Sequence, residues 1–177
     1  MRYVALLRAI NVGKRIVKME PLRAIFVDLG MRDVTTFINS GNVLFTSNVK
    51  DRAKLTATLE TGLERALGFA VPVFLRTGDE MAAAAAQVPR ARLDADPSLK
   101  LYVTYFGEKP TAVAARGVKA LSNETIEHWV NERELYSLII PPGDAVFSAA
   151  SVEKVIGLRG TARNWKSTIK LAGLLNG

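Results

Sequence analysis

The sequence predicts an α+β fold of two similar halves, and three observations lead there. Short runs rich in β-branched and aromatic residues alternate with longer stretches of helical apolar spacing. Up to Arg76 their order is β-α-β-β-α-β, the split βαβ of a ferredoxin-like domain. From Leu101 the order runs β-α-β-β-α, nearly a repeat of the first half.

Each element has its own warrant. "RYVALLR" is a first strand, followed by a basic loop. Pro21 suits the first turn of a helix from about Glu20 to Asp28, closed by Gly30. "VTTFINSGNVLFTS" gives two β-rich runs about Ser40-Gly41-Asn42, a hairpin. Over residues 51–67, Leu55, Leu59, Leu63, Ala66 and Leu67 share a helical stripe, with Gly68 as its stop. "VPVFLR" is the fourth strand. Thr77 to Glu80, "TGDE", is a capping box opening the alanine-rich run to Gln87.

Residues 88–100, "VPRARLDADPSLK", are polar, Pro-containing and aperiodic, and read as a linker. The chain is thus divided into halves 1–87 and 88–177, expected to pack as one unit. "LYVTYFG" is a strand, and Pro110 opens a helix to about Lys119. "ETIEHWV" and "ELYSLII" are strands joined through Asn131-Glu132-Arg133. "PPGD" is a loop, and a basic helical region closes the chain. Thr161 is its expected N-cap, and Trp165, Ile169 and Ala172 its apolar stripe.

The chain has 177 residues, 49% hydrophobic and 23% charged, enough to bury a core. Cysteine is absent, which excludes disulfides, thiolate metal sites and cysteine nucleophiles. The apolar run Tyr3 to Leu7 is too short for a signal-peptide core or a spanning helix, so a cytoplasmic protein with no membrane partner is expected. The net charge is +7 and unevenly placed. Residues 1–18 carry Arg2, Arg8, Lys14, Arg15 and Lys18 with no acid; residues 154–177 carry Lys154, Arg159, Arg163, Lys166 and Lys170 with no acid. The excess positive charge therefore sits at the two ends, the footprint of an anionic partner if the fold brings them together, and otherwise a solvated surface.

The split βαβ topology adds geometry. The third strand lies antiparallel between the first and second, so the loop leaving strand one and the hairpin after strand two share one sheet end. Arg8, Asn11 and Gly13 then lie near Ser40, Gly41 and Asn42, while Arg76 falls at the opposite end. A permanent cation, amide and hydroxyl donors and glycine-assisted backbone N–H groups suit phosphate or carboxylate. The alternative is that these residues only serve the turns. At the terminal helix, Thr161, Arg163 and Asn164 are the candidates, since a helix start bearing an arginine attracts anions.

Conventional catalytic sets do not assemble. The single histidine, His128, sits in a strand and reads as structural. No Ser-His-Asp arrangement, metal-ligand spacing or phosphate-loop spacing appears, so no cofactor and no metal are expected. Asp94 and Asp96 read as solvated turn residues.

"RAINVGK" (8–14), "TFINSGNV" (36–43), "VPVFLRT" (71–77), "LYVTYF" (101–106) and "TARNWKSTIKL" (161–171) resemble the signatures of the bacterial domain of unknown function 1697 family. The resemblance spans essentially the whole chain. It implies a cytosolic α+β protein with a ferredoxin-like portion and no established activity. The family usually has Gly where this chain has Ala9 and Lys14, and Gln where it has Asn39. The two glycine positions bear on how closely a ligand approaches the loop backbone.

The leading expectation is a small anionic ligand at the sheet end. A nucleic acid is the alternative partner, since ferredoxin-like sheets with positive charge suit RNA. Against it, "NVLFT" lacks the aromatic pattern of RNA-binding strands. A non-catalytic interaction module is the third reading.

Overall fold

The computed structural model describes residues 1–11, 13, 16–38, 41–142 and 149–177, without the side chains of Ala149 and Ala150. Lys14, Arg15, Asn39 and Ser40, and the Gly143-Asp144 end of the "PPGD" loop, lie outside the described residues. The chain forms two compact units, Met1–Met81 with Leu171–Gly177, and Ala82–Lys170.

The first unit contains β1 (Arg2–Leu7), α1 (Met19–Asp28), β2 (Arg32–Thr36), β3 (Asn42–Thr46), α2 (Arg52–Leu67) and β4 (Val73–Thr77). Its sheet has the order β2-β3-β1-β4 with every neighbour antiparallel, as a ferredoxin-like domain requires. Leu55, Leu59 and Leu63 of α2 and Leu22 and Phe26 of α1 pack on Tyr3, Ala5, Leu7, Val43 and Phe45 of the central strands. Alternate residues on the other face, Val4, Leu6 and Leu44, are buried as well. Burial on both faces explains why β1 reads as a continuous apolar run.

The helix punctuation follows the sequence signals. The Asp51 carboxylate accepts from Lys54 N–H at 3.0 Å to open α2, and Gly68 ends it in the left-handed region. The capping box forms reciprocally: Thr77 N–H donates to Glu80 Oε2 at 2.9 Å, and Glu80 N–H to Thr77 Oγ1 at 3.3 Å. It opens α3 (Gly78–Ala86), and Arg52 pairs with the same carboxylate at 2.8 Å.

The second unit holds α4 (Arg90–Ala95), β5 (Lys100–Phe106), α5 (Ala112–Lys119), β6 (Ile126–Asn131), β7 (Glu134–Ile139), α6 (Ala149–Ile156) and β8 (Gly160–Asn164). Its antiparallel sheet, β6-β7-β5-β8, repeats the order of the first. The second half is therefore a complete β-α-β-β-α-β, one strand more than expected. α4 lies in the segment read as linker; six residues with one buried position, Leu93, are too short to show periodicity.

The start of the terminal helix needs correction. α7 spans Trp165–Asn176, and Thr161 belongs to β8, not to a cap. Asn164 caps instead, its Oδ1 accepting from Ser167 N–H at 2.8 Å. The buried stripe is Thr168, Leu171, Ala172 and Leu175, while Trp165 and Ile169 are only half-buried. Among the described residues no helix is long and apolar enough to cross a membrane.

Candidate anion-binding site

The antiparallel register places Leu6 opposite Asn42, so the end of β1 and the start of β3 coincide. Leu7 N–H donates to Gly41 carbonyl at 2.8 Å, tying the loop that leaves β1 to the β2–β3 hairpin. Within that loop Ala9, Asn11 and Gly13 have φ of 57°, 57° and 61°. Left-handed backbone at such positions is the kind from which anion-binding nests are built. A left-handed alanine carries strain of order 1 kcal/mol, and the family's usual glycine at this position would avoid it.

Asn11 acts as the loop's clasp, its Oδ1 accepting from Val17 N–H at 2.7 Å. Two residues later α1 begins. Its N-cap position is Lys18, which offers no side-chain acceptor to the first-turn N–H groups. Asn11, Ile16, Val17, Lys18 and Met19 line an open recess of about 420 Å³ at this helix start. The half-buried Arg8 precedes the first left-handed residue, with its N–H donating to Pro72 carbonyl at 3.0 Å. This end of the chain thus has a helix N-terminus lined by Lys18 and Asn11, with Arg8 in the loop that leads to it. Such a set can hold a phosphate or carboxylate group.

Of the residues expected here, Gly41 meets the chain leaving β1 at Leu7 and Ile10, on either side of Arg8, while Asn11 and Gly13 lie farther along the same loop. Asn42 is there too, but its side chain is fully buried and Nδ2 donates to Phe37 carbonyl at 3.1 Å, which locks the hairpin. Ser40 lies outside the described residues. Sequence reasoning missed Lys18 and the helix start beside it, although Pro21 marked where α1 begins. Arg76 sits opposite Val4, away from this end, as the topology required.

The C-terminal candidates behave differently. Arg163 is a buried residue of β8, and its Nη1 donates to Thr161 Oγ1 at 2.9 Å and Ala162 carbonyl at 2.8 Å. Burial pulls its pKa down to about 10, with Tyr105 opposing, so the side chain stays charged at neutral pH. Arg163 therefore sits in the sheet rather than at the mouth of a helix. Asn164, the true cap, is exposed.

His128 is buried on β6, with Nδ1 2.9 Å from Ser137 Oγ, in keeping with a structural role. Desolvation disfavours the imidazolium and lowers its pKa below the ordinary 6.5. Protons then bind preferentially to the unfolded chain, so stability is complete above 6.5 and falls as the pH drops through the window beneath it. The melting temperature should decline on acidification from about pH 7 to 5.5, and less steeply in His128→Gln. Equal slopes in the two proteins would remove His128 as the cause.

The chain is similar to the conserved bacterial protein SP0830 from Streptococcus pneumoniae, whose solved structure superposes with a TM-score of 0.81 at 25% identity. The match covers 99% of this chain and 98% of that one, so both halves of the fold are shared. No curated protein matches the sequence. The family described as protein of unknown function (DUF1697) matches residues 1–136, which include the β1 loop, the hairpin and the start of the second sheet. On that match the chain belongs to the DUF1697 family.

Proposed function

We propose that this protein binds a small anion, through a phosphate or carboxylate group, at the end of its first sheet. The observation that carries this reading is the run of left-handed residues Ala9, Asn11 and Gly13, placed beside the uncapped start of α1. Left-handed backbone at the non-glycine residues Ala9 and Asn11 costs conformational energy that a plain connection would avoid. Lys18 lines the recess beside Asn11, and Arg8 adds a second cation to the loop leaving β1, while the first-turn acid of α1, Glu20, is paired with Arg23 at 3.1 Å. An RNA platform on the sheet face away from α1 and α2 is disfavoured, because Val4, Leu6 and Leu44 there are buried.

Calorimetric titration with inorganic phosphate and citrate at low salt tests the reading. Saturable binding is expected, with a stability gain of about 2.7 kcal/mol at a hundred times the dissociation constant. Lys18→Glu, an exposed substitution, should weaken binding by about tenfold or more and leave the melting temperature of the unliganded protein nearly unchanged. Binding that ignores this charge reversal, or no saturation at all, overturns the site. Affinity confined to polymers, and collapsing with salt, would instead support the nucleic-acid reading.

A further inference from the structure

We propose a second binding site, in the Ala82–Lys170 unit, that takes a nucleotide: a nucleobase on its aromatic wall and a phosphate on its lysine rim. The site is an open groove of about 370 Å³ where α4, β5 and the start of α7 converge. Its floor is apolar, made by the buried side chains of Leu93, Leu99 and Leu101. Its aromatic lining is Tyr102 and Trp165, brought to one groove because Tyr102 pairs across the β5–β8 ladder with Asn164, the residue before Trp165. Both rings are half-buried, which leaves aromatic surface facing the groove.

The charges on the rim select the ligand. Lys100 and Lys166 are exposed lining residues, and the Lys166 ammonium stands 5.6 Å from the Trp165 ring centroid. That ammonium lies over the indole, where a phosphate can draw it aside and leave the ring to stack the base. The rim also carries one carboxylate, Asp94. A carboxylate in an otherwise cationic rim opposes a simple polyanion. It suits a base edge, whose amino or ring N–H groups it can accept from. A stacking surface, a base-edge acceptor and a phosphate counter-charge are the three parts of nucleotide recognition. The groove's size also falls in the range of small-molecule pockets. Its α4 wall is anchored by the two-pronged Arg92–Glu127 pair, at 2.9 and 3.0 Å.

This site is independent of the anion recess in the first unit. The nucleotide unit has two sources, a free nucleotide or a single-stranded chain, and the assay separates them. Intrinsic tryptophan fluorescence of the full chain is titrated with AMP, GMP, CMP and UMP, and with six-nucleotide RNA and DNA. Trp129→Phe provides the background in which Trp165 is the remaining tryptophan. Saturable quenching is expected, weakened at least tenfold by Lys100→Glu with Lys166→Glu and unchanged by Lys18→Glu. Adenosine and ribose 5-phosphate, each lacking half of the ligand, should bind at least tenfold less tightly than AMP. Saturation by mononucleotides identifies a free nucleotide as the source; saturation by oligonucleotides alone, lost in the lysine reversals, identifies a chain. Absence of saturation with either, or quenching indifferent to the lysine reversals, overturns the proposal. Because both lysines are exposed, the reversed protein should keep its wild-type melting temperature, so lost binding is not lost folding.

Discussion

Gly160→Ala should lower the stability of this protein by about 1–3 kcal/mol, the usual range for an added methyl group in a packed core. Gly160 lies opposite Phe106 in the β5–β8 ladder, and both are buried. A Cβ there would stand 2.7 Å from the Thr104 methyl and 2.9 Å from the Phe106 ring. Neither neighbour can yield easily. Phe106 is fixed among Val118, Leu135, Val152 and Ile156, and Thr104 is buried beside it. At this chain length each kcal/mol corresponds to roughly 2–4 °C in melting temperature. Gly107→Ala is the control, because nothing lies within 4 Å of its Cβ position. It should be neutral or slightly stabilising. Thr104→Ala should rescue part of the Gly160→Ala loss, since it removes one clash and a buried hydroxyl that lacks a hydrogen-bond partner. Equal melting temperatures for wild type and Gly160→Ala would show that β8 does not pack so tightly on β5.

The same strand marks where the sequence stopped being legible. "GTARN" has one β-branched residue and runs into α7 without a breaker, so local signals favour extending the helix backward to Thr161. What makes it a strand is long-range: an open edge on β5, and a glycine thin enough to lie under Phe106. By contrast α2 was readable from its own residues, because the leucine spacing, Asp51 and Gly68 act within one helix. The first sheet was readable because the β-α-β-β-α-β order leaves few arrangements, and the shared end of β1 and β3 follows from any antiparallel pairing of the two.

Legibility of the candidate site follows the same division. The approach of Gly41 to the chain around Arg8 was reachable, since topology alone brings the hairpin to the end of β1. Arg163 was misplaced because its inward direction depends on strand alternation, and the strand itself was hidden. Its burial makes Arg163→Ala a poor probe of binding, as it deletes a packed side chain along with the charge. Trp165 shows the reverse error. Its spacing with Ile169 and Ala172 suggested the core stripe, whereas in the structure it stands at the first position of α7, on the wall of a groove. Backbone strain was only hinted at: Ala9 stands where the resembled family usually has Gly, but its own residue type gives no sign of a φ of 57°.

Gly41→Ala should be the most damaging small substitution at the candidate anion site, costing about 2–4 kcal/mol. Two costs combine. Gly41 has φ of 72°, a conformation that charges an L-residue about 1–2 kcal/mol. Its added Cβ would also stand 3.1 Å from Leu7 Cβ and 3.3 Å from Ile10 Cβ. Those are side-chain roots, so relief requires moving the backbone of β1 or of the loop that follows it. Gly68→Ala separates the two effects, because Gly68 has φ of 77° with nothing within 4 Å of the Cβ position. It should lose only the conformational part, and Gly41→Ala should melt several degrees below it. Ala9→Gly runs the other way. It relieves left-handed strain and loosens the unfolded chain by a similar amount, so stability should hold or rise by up to about 1 kcal/mol. The three variants together also test function. Ala9→Gly should retain phosphate binding, whereas Gly41→Ala, by displacing Leu7 and Ile10 on either side of Arg8, should weaken it even where the protein remains folded. If Gly41→Ala melts with Gly68→Ala and binds like wild type, the hairpin does not shape the loop, and the recess at α1 would have to be explained without it.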